Sequence, residues 1–309
     1  MTTPPGFDRP LSRLMVGTVQ FGIPYGVANQ TGQPSYRDVV EIVAAMIEGG
    51  VNCFDTAAAY GNSEDVLGRS LIELGVMDRV TVVTKVRALS PAELADPNLA
   101  AKAIEQSVSE SRRRLQMDVL PMVLFHREAD APFYEQLEKL RDRGWLKRYG
   151  VSCDNRPGPA ATFATSGHFS ALQLPANILD HRHRQSGIFK TARERGVSVF
   201  IRSVYLQGLL LMPEEQIPQQ LRDVIPARCR LQDLAASSGM DLAELALRYM
   251  LSQDGVTSVI VGVETIRQAH ENSALFARGP LPSDLLFAIE AVQSQLSEMV
   301  LTPNLWPKK

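Results

Sequence analysis

Short apolar runs alternate with longer segments of helical period along the chain, and this alternation restricts the fold more than any other sequence feature. Eight runs are rich in Val, Ile and Phe, whereas the segments between them repeat apolar residues every three to four positions. This arrangement is typical of βα units, in which helices cover both faces of a parallel sheet. The runs span residues 13–17, 52–55, 80–85, 119–126, 148–152, 171–175, 197–202 and 257–262.

Eight βα units predict a closed (β/α)8 barrel, the TIM-barrel fold, which usually takes about 250 residues. The chain has 309 residues, so we predict one barrel domain over residues 1–309, with insertions and a further C-terminal helix over residues 283–300. A doubly wound open sheet is the alternative fold. The sequence has no GxGxxG motif after a strand, no GxxxxGK[ST] motif and no GxSxG motif. The usual dinucleotide, P-loop and hydrolase signatures are therefore absent.

The segment between the first two runs shows how a helix is specified. Val39, Val43 and Met46 fall on one face of a helix. Ser35 and Asp38 have the spacing of a capping box, and a Gly-Gly pair follows as a stop signal.

Composition and charge exclude several classes of partner. The 32 basic and 34 acidic residues give a net charge of −2, so the chain has no basic excess for nucleic acid or an anionic membrane. No apolar run of about 18 residues occurs, and the N-terminus lacks the basic and apolar regions of an export signal. The three cysteines are widely spaced without a CxxC motif. We therefore expect a cytoplasmic protein with a small-molecule partner.

Four polar residues lie where strands of the predicted barrel end. Asp55 ends the second run, Tyr60 lies in the loop that follows, Lys85 ends the third run and His126 ends the fourth. Active sites of such barrels lie at the carboxyl ends of the strands. Each residue alone has an ordinary explanation in packing or strand flanking. Four convergent polar groups at one mouth, however, predict a catalytic site.

The four residue types form a chemically consistent acid–base set. A tyrosine hydroxyl with an ordinary pKa of about 10 is a weak acid at neutral pH, and the Lys85 ammonium beside Tyr60 favours the phenolate. Asp55 is the available counter-ion for a buried ammonium. His126 can donate to, or orient, a substrate carbonyl oxygen that Tyr60 protonates.

The segments around these residues resemble the aldo-keto reductase superfamily. The resemblance rests on FDTAAAYGNSEDVLG, TKV, LFHR, RYGVSCDN and LQLPANILD, and it covers almost the whole chain. It implies a (β/α)8 barrel that catalyses NAD(P)H-dependent, reversible reduction of an aldehyde or ketone. It also implies that Asp55, Tyr60, Lys85 and His126 are the family's catalytic tetrad.

The same resemblance implies the cofactor contacts. Ser152 and Gln173 match the residues that hold the nicotinamide carboxamide, and residues 203–208 resemble the segment that covers the pyrophosphate. Two positions depart from the family pattern: Cys153 replaces the usual Asn, and Arg202 replaces the aromatic ring that stacks on the nicotinamide. A guanidinium can also stack on a ring. The implied set is Gly17, Thr18, Asp55, Ser152, Gln173, Arg202, Ser203, Leu206, Gln207, Gly208, Gly262, Val263, Thr265, Arg267, Gln268, Glu271 and Asn272.

The segment VGVETIRQAHEN resembles the family's phosphate-binding turn and helix start, and helix N-termini attract phosphate. Members that favour NADP often carry Lys or Arg where Gly262 and Gln268 stand here, which leaves Arg267 as the nearby candidate for the 2′-phosphate. The expected cofactor is therefore NADP with NAD possible, and the expected preference for NADPH is modest. Thr265 and Gln268 also have capping-box spacing, so this turn can simply start a helix.

Other features lead to weaker hypotheses. His181 and His183 have HxH spacing, but without a third ligand and among arginines they predict a solvated loop and no metal site. Cys53 is expected in the core. Cys153 is expected near the nicotinamide, and among the three cysteines its thiol is the candidate for oxidation.

Two functions other than carbonyl reduction stay open. Lys85 can form a Schiff base as in a lysine-dependent aldolase, although Asp55 and Tyr60 at this spacing favour the reductase. Related barrels also serve as nicotinamide-nucleotide-binding regulatory or accessory subunits with little turnover. For a reductase, a sugar or sugar-like aldehyde is the expected substrate, because GTVQFGIPYG and the C-terminal NLW resemble reductases of sugar metabolism.

Overall fold

The strands of the computed structural model pair in sequence order and the first pairs with the last, so they close into a parallel barrel. The structure describes residue 7, residues 9–26, residue 29, residues 32–292 and residues 296–306. Each predicted run coincides with one strand, with β3 ending one residue beyond its run, and this confirms the (β/α)8 barrel over the doubly wound sheet. The strands are β1 Leu14–Gly17, β2 Cys53–Asp55, β3 Thr81–Val86, β4 Met122–Phe125, β5 Tyr149–Ser152, β6 Ala171–Pro175, β7 Ser198–Arg202 and β8 Ser258–Gly262.

Helices connect the strands and surround the barrel. Before β5 they are α1 Val19–Gly22, α2 Tyr36–Glu48, α3 Ser63–Glu73, α4 Pro91–Ala95, α5 Pro97–Leu115 and α6 Tyr134–Asp142. After β5 they are α7 Pro157–Thr165, α8 Arg182–Gln185, α9 Ile188–Glu194, α10 Ile225–Ser237, α11 Leu242–Leu251, α12 Ile266–Ala277, α13 Ser283–Ala291 and α14 Glu298–Leu301. No helix in the described ranges is both long and apolar enough to cross a membrane.

Helix α2 forms as its sequence predicts. Ser35 accepts a hydrogen bond from the Asp38 backbone while the Asp38 carboxylate accepts one from the Ser35 backbone, which completes the capping box. Val39, Val43 and Met46 are fully buried against the barrel.

The single helix expected over residues 283–300 is wrong. The chain instead forms α13 and α14, and Ser297 between them has an extended backbone with φ −64° and ψ 153°. Residues 293–295 lie outside the described residues. Leu285 of α13 and Val300 of α14 are both buried. The apolar periodicity that predicted one helix therefore belongs to two helices, each of which contributes buried residues to the core.

Alternation along the strands decides which side chains enter the barrel. The apolar interior is formed by Leu11, Met15, Cys53, Val83, Met122, Leu124, Ala171, Phe200 and Ile260, which confirms Cys53 as a core residue. Successive residues of a strand point to opposite sides. Residues two positions after an interior residue therefore form the next inward layer, at the C-terminal mouth: Gly17, Asp55, Lys85, His126, Gln173, Arg202 and Gly262.

Candidate active site

A cavity of about 700 Å³ opens at the C-terminal end of the barrel, where the sequence predicts the active site. Its size is typical of small-molecule and cofactor sites. Predicted site residues that line it are Gly17, Asp55, Tyr60, His126, Ser152, Gln173, Arg202, Ser203, Gln207, Gly208, Gly262 and Gln268. The structure therefore brings most of the predicted set to one place.

A buried ion pair forms the floor of this cavity. Lys85 Nζ donates to Asp55 Oδ1 at 2.7 Å and to the Thr56 carbonyl oxygen at 2.9 Å. Asp55 Oδ1 also accepts from Gln173 Nε2 at 2.7 Å. Burial acts to lower the pKa of Lys85, but the negative charge of Asp55 and the hydroxyl of Tyr60 outweigh it and raise that pKa above its ordinary value. The lysine is therefore a fixed ammonium.

This environment argues against Lys85 as the nucleophile of an aldolase. A Schiff base requires a neutral, accessible amine. The Lys85 side chain has no exposed surface and its pKa is raised. Lys85 is therefore suited to supply a fixed positive charge.

Tyr60 lies above the ion pair in a tightly packed loop. The Lys85 Nζ atom is 5.0 Å from the Tyr60 ring centroid. A Cβ atom at Gly22 would come within 1.8 Å of the Tyr60 carbonyl oxygen, so a side chain at position 22 would displace this loop. Ser63 Oγ, at the start of α3, donates to the Thr18 carbonyl oxygen at 2.7 Å. The GTVQFG segment therefore fixes the position of Tyr60.

His126 packs against Tyr60 at the edge of the cavity. The two rings are T-shaped, with centroids 5.7 Å apart and an interplanar angle of 83°. Burial and the positive charges of Lys85, Arg202 and Arg127 lower the pKa of His126 to about 3. The imidazole is therefore neutral near pH 7, with one N–H to donate and one nitrogen to accept.

Two facing glycines form a side-chain-free cradle at the ends of β1 and β8. Gly17 pairs with Gly262. A Cβ atom at Gly17 would lie 2.9 Å from Ile260 Cγ2, and one at Gly262 would lie 2.5 Å from Gln20 Nε2. Gln20 is 8% exposed, and its Oε1 atom has no hydrogen-bond partner among the described residues. A bare backbone surface beside an unpartnered amide is suited to a polar ligand.

Arg202 and the loop after it line the cavity at the end of β7, the strand next to β8. Arg202 donates to the Cys153 carbonyl oxygen at 3.1 Å and to Ser203 Oγ at 3.4 Å. Ser203, Leu206 and Gln207 have φ values of 66°, 49° and 52°. Positive φ is unfavourable for residues other than glycine, and clusters of such residues are typical of functional loops.

Some predicted site residues lie outside the cavity lining. Lys85 lies beneath it, and Thr18 is fully buried, where its hydroxyl donates to the Asp55 carbonyl oxygen at 2.9 Å. Arg267 is on the exposed side of α12, with its side chain 80% exposed and 3.5 Å from a Glu271 carboxylate oxygen. The others outside the lining are Leu206, Val263, Thr265, Glu271 and Asn272.

Thr265 acts as the N-cap of α12. Its side-chain oxygen accepts from the Gln268 backbone N–H at 3.2 Å. Gln268 Oε1 accepts instead from the Glu264 backbone at 2.7 Å, so the reciprocal bond of a capping box is replaced by one to the preceding residue. The capping interpretation of this turn therefore holds in part.

Sequence reasoning missed several residues that line the cavity. They are Val19, Gln20, Tyr25, Gly26, Asn29, Arg127, Asp154, Asn155, Leu211, Met212, Pro213, Gln216, Ile260, Pro303 and Asn304. Four further lining residues, Val204, Tyr205, Val261 and Glu264, lie within segments that the sequence indicated but were not named singly. Arg127 and Asp154 each follow a strand end closely, so the rule that located His126 could have located them as well. Tyr25 and Asn304 come from a loop and a C-terminal segment whose approach depends on tertiary packing.

Two secondary hypotheses are corrected by the structure. His183 is buried rather than solvated, and its Nε2 atom lies 3.0 Å from the Asp154 carbonyl oxygen. Cys153 is also fully buried, and burial raises the pKa of its thiol well above the ordinary value, which disfavours the reactive thiolate. No cluster of His, Cys, Asp and Glu in the described part of the chain is arranged to hold a metal ion.

The residues of the cavity fit a nicotinamide cofactor. The glycine cradle admits close approach of a ligand to the backbone, and the strained loop of residues 203–208 can cover it. The Gln173 amide donates to Asp55, and Ser152 lies next to Gln173 on the neighbouring strand, so a ring held by these two residues would lie near Tyr60.

Comparisons with known proteins show what the chain is similar to. The model of the aldo/keto reductase family matches residues 13–294. The NADH-specific methylglyoxal reductase of Escherichia coli strain K12 is 25% identical over 303 residues, covering 86% of this chain and 90% of that protein. A probable voltage-gated potassium channel subunit beta of Arabidopsis thaliana is 25% identical over 291 residues, covering 84% and 88%.

A solved structure has the same fold. The holo form of an aldo-keto reductase from Bacillus halodurans superposes with a TM-score of 0.78 at 24% identity. The superposition covers 97% of this chain and 98% of the other.

Proposed function

The chain belongs to the aldo/keto reductase family of NAD(P)-dependent oxidoreductases, and we propose that it reduces an aldehyde or ketone to the alcohol with Tyr60 as the proton donor. One observation carries this proposal. The buried Lys85–Asp55 pair lies directly beneath Tyr60, at the floor of a cavity large enough for a cofactor and a small substrate.

Tyr60 and His126 have different roles at the substrate carbonyl oxygen. A reduced nicotinamide, when bound, supplies the hydride that adds to the carbonyl carbon. Tyr60 gives its hydroxyl proton to the carbonyl oxygen, and the Lys85 ammonium stabilises the phenolate that remains. Neutral His126 donates its N–H to the same oxygen and holds it in place. Solvent then returns the proton to Tyr60.

Each part of the cofactor is assigned to its own set of residues in and around the cavity. Ser152 and Gln173 hold the nicotinamide carboxamide, Gly17 leaves room beside it, and residues 203–208 cover the pyrophosphate. Residues 262–272, which run from the end of β8 into α12, bind the adenosine end. Thr18 supports this site through the Asp55 backbone.

The preference between NADPH and NADH is proposed to be small and in favour of NADPH. Arg267 is the candidate for the 2′-phosphate, but its side chain is 80% exposed and pairs with Glu271. Gly262, Glu264 and Gln268 line the cavity along this stretch without contributing a cation. Arg267 is therefore the one cation proposed for the 2′-phosphate, and its exposure limits the preference.

The substrate is proposed to be a sugar or sugar-like aldehyde. Tyr25, Asn155, Asp154 and Asn304 line the cavity beyond the reacting groups. Asn155 already donates to Asp180, and Tyr25 accepts from Gln207. Hydroxyl groups of a polyol can donate to and accept from the polar atoms that such side chains present to the cavity.

The direct test is a screen of aldehydes and sugars with NADPH and with NADH, followed at the absorbance band of the reduced nicotinamide. The proposal expects turnover with at least one reactive aldehyde. Tight cofactor binding without turnover on any carbonyl compound would favour the alternative, a nicotinamide-nucleotide-binding accessory subunit. One relative carries the name of a channel subunit, so this outcome is a real alternative for the fold.

A further inference from the structure

Arg202 occupies the inward layer of the cavity wall across the mouth from Tyr60. It lies two residues after Phe200, which belongs to the barrel interior. Its guanidinium donates to the Cys153 carbonyl oxygen at 3.1 Å and to Ser203 Oγ at 3.4 Å. These two bonds hold it between the ends of β5 and β7, on the wall that Ser152 and Gln173 share.

The charge of Arg202 has no direct counter-ion. No carboxylate of the described residues lies within 4.0 Å of its nitrogens, whereas Lys85 is paired with Asp55 and Arg127 with Asp130. Its field extends through the cavity. Together with burial, it acts to lower the pKa of His126, and it opposes the rise that burial causes in the pKa of Glu128.

A redox ring in this cavity has to lie close to that charge. Hydride transfer requires the ring on one side of the carbonyl carbon while Tyr60 and His126 hold the oxygen. Tyr60 and His126 follow β2 and β4, and β1 and β8 end in the glycine cradle. The wall with polar side chains that can hold the ring is therefore the one formed by Ser152, Gln173 and Arg202. This step rests on the proposed function.

We propose that Arg202 sets the redox balance of the bound cofactor by disfavouring its oxidised form. The oxidised nicotinamide ring carries a positive charge and the reduced ring carries none, so an unpaired guanidinium beside it repels only the oxidised form. The rest of the cofactor is the same in both states. The ratio of the two dissociation constants therefore isolates the effect on the ring.

This arrangement has two consequences for the reaction. Arg202 speeds release of the oxidised cofactor after carbonyl reduction, and it makes the bound oxidised cofactor a stronger hydride acceptor in the reverse direction. Each tenfold increase in the ratio of the oxidised to the reduced dissociation constant raises the potential of the bound two-electron couple by about 30 mV.

The test measures binding and needs no turnover. Dissociation constants of NADPH and NADP⁺ are determined by calorimetry for the wild type, Arg202→Gln, Arg202→Lys and the control Arg267→Gln. We expect the oxidised-to-reduced ratio to fall by at least about fivefold in Arg202→Gln. Arg202→Lys should keep most of the wild-type ratio, because it keeps the charge. Arg267→Gln should leave the ratio unchanged, since both forms carry the same phosphates.

The outcomes separate this inference from the proposed function. An unchanged ratio in Arg202→Gln, or equal weakening of both forms, overturns the inference and leaves the reductase proposal intact. A ratio that falls in Arg202→Lys as far as in Arg202→Gln would show that the shape of the guanidinium rather than its charge is responsible, which also overturns the inference. Failure of the wild type to bind either form would instead overturn the proposed function.

Discussion

Lys85 Nζ lies 2.7 Å from Asp55 Oδ1, and the same carboxylate oxygen accepts a hydrogen bond from Gln173 at the same distance. The pair is buried, so the Lys85 ammonium is held in place beneath Tyr60, and Asp55 balances its charge. Gln173 links this floor to the wall that is proposed to hold the nicotinamide. A single carboxylate thus connects the groups proposed for proton delivery and for cofactor binding.

The first prediction concerns the Lys85 charge. Lys85→Met leaves the Asp55 carboxylate buried without a cation, which should cost about 3–5 kcal/mol of folding free energy. Reductase activity should be mostly lost, because no ammonium stabilises the phenolate that remains when Tyr60 gives up its proton. Urea unfolding and kcat measure the two effects.

The matched control for that prediction is the double variant Lys85→Met with Asp55→Asn. It removes both charges, so it should regain much of the stability but none of the activity. A fully active Lys85→Met would show that the ammonium does not act on Tyr60.

A second prediction concerns the acid sensitivity of the fold through His126. The pKa of His126 is about 3 in the folded protein, against about 6.5 in an unfolded chain. Between these values the unfolded chain binds more protons, so this contribution to stability falls as the pH falls from about 6.5 towards 3. His126→Asn should therefore lose about 1–2 kcal/mol less stability than the wild type between pH 7 and pH 5.

Urea unfolding at the two pH values measures this difference. His168→Asn is the control, because His168 is exposed and stacks on Tyr134 away from the cavity. It should keep the wild-type difference between the two pH values. An identical loss in His126→Asn and the wild type would mean that His126 is protonated as easily in the folded protein as in the unfolded chain.

A third prediction concerns Arg267 and the 2′-phosphate. An exposed arginine that contacts a phosphate contributes at most about 1.5 kcal/mol, or roughly tenfold in affinity. Arg267→Ala should therefore weaken NADPH by up to that amount while leaving NADH nearly unaffected, as measured by fluorescence titration of both reduced cofactors. Equal weakening of both, or a wild type that binds NADH more tightly, would show that Arg267 does not recognise the phosphate.

The barrel and its reacting groups were predictable because both depend on local sequence periodicity. Each strand is a short apolar run, and a polar residue at its end reaches the mouth by strand alternation, as Asp55 and Lys85 do. The extra C-terminal helix was less predictable. Buried positions such as Leu285 and Val300 look alike in sequence, although they belong to two helices.

The cavity lining beyond the strand ends depends on tertiary approach. Gln20 lines the site because α1 carries it over Gly262, and no periodicity in the sequence encodes that contact. Thr18, expected to touch the cofactor, is buried behind Asp55 for the same reason.

The central claim is that Tyr60 donates the proton, and the variant Tyr60→Phe tests it most directly. It removes the hydroxyl and keeps the ring. With the best aldehyde of the screen, kcat should fall by about 10²- to 10⁴-fold, while the dissociation constant of the reduced cofactor changes by less than about twofold. A fall in kcat of less than tenfold, with cofactor binding intact, would contradict the assignment of Tyr60 as the general acid.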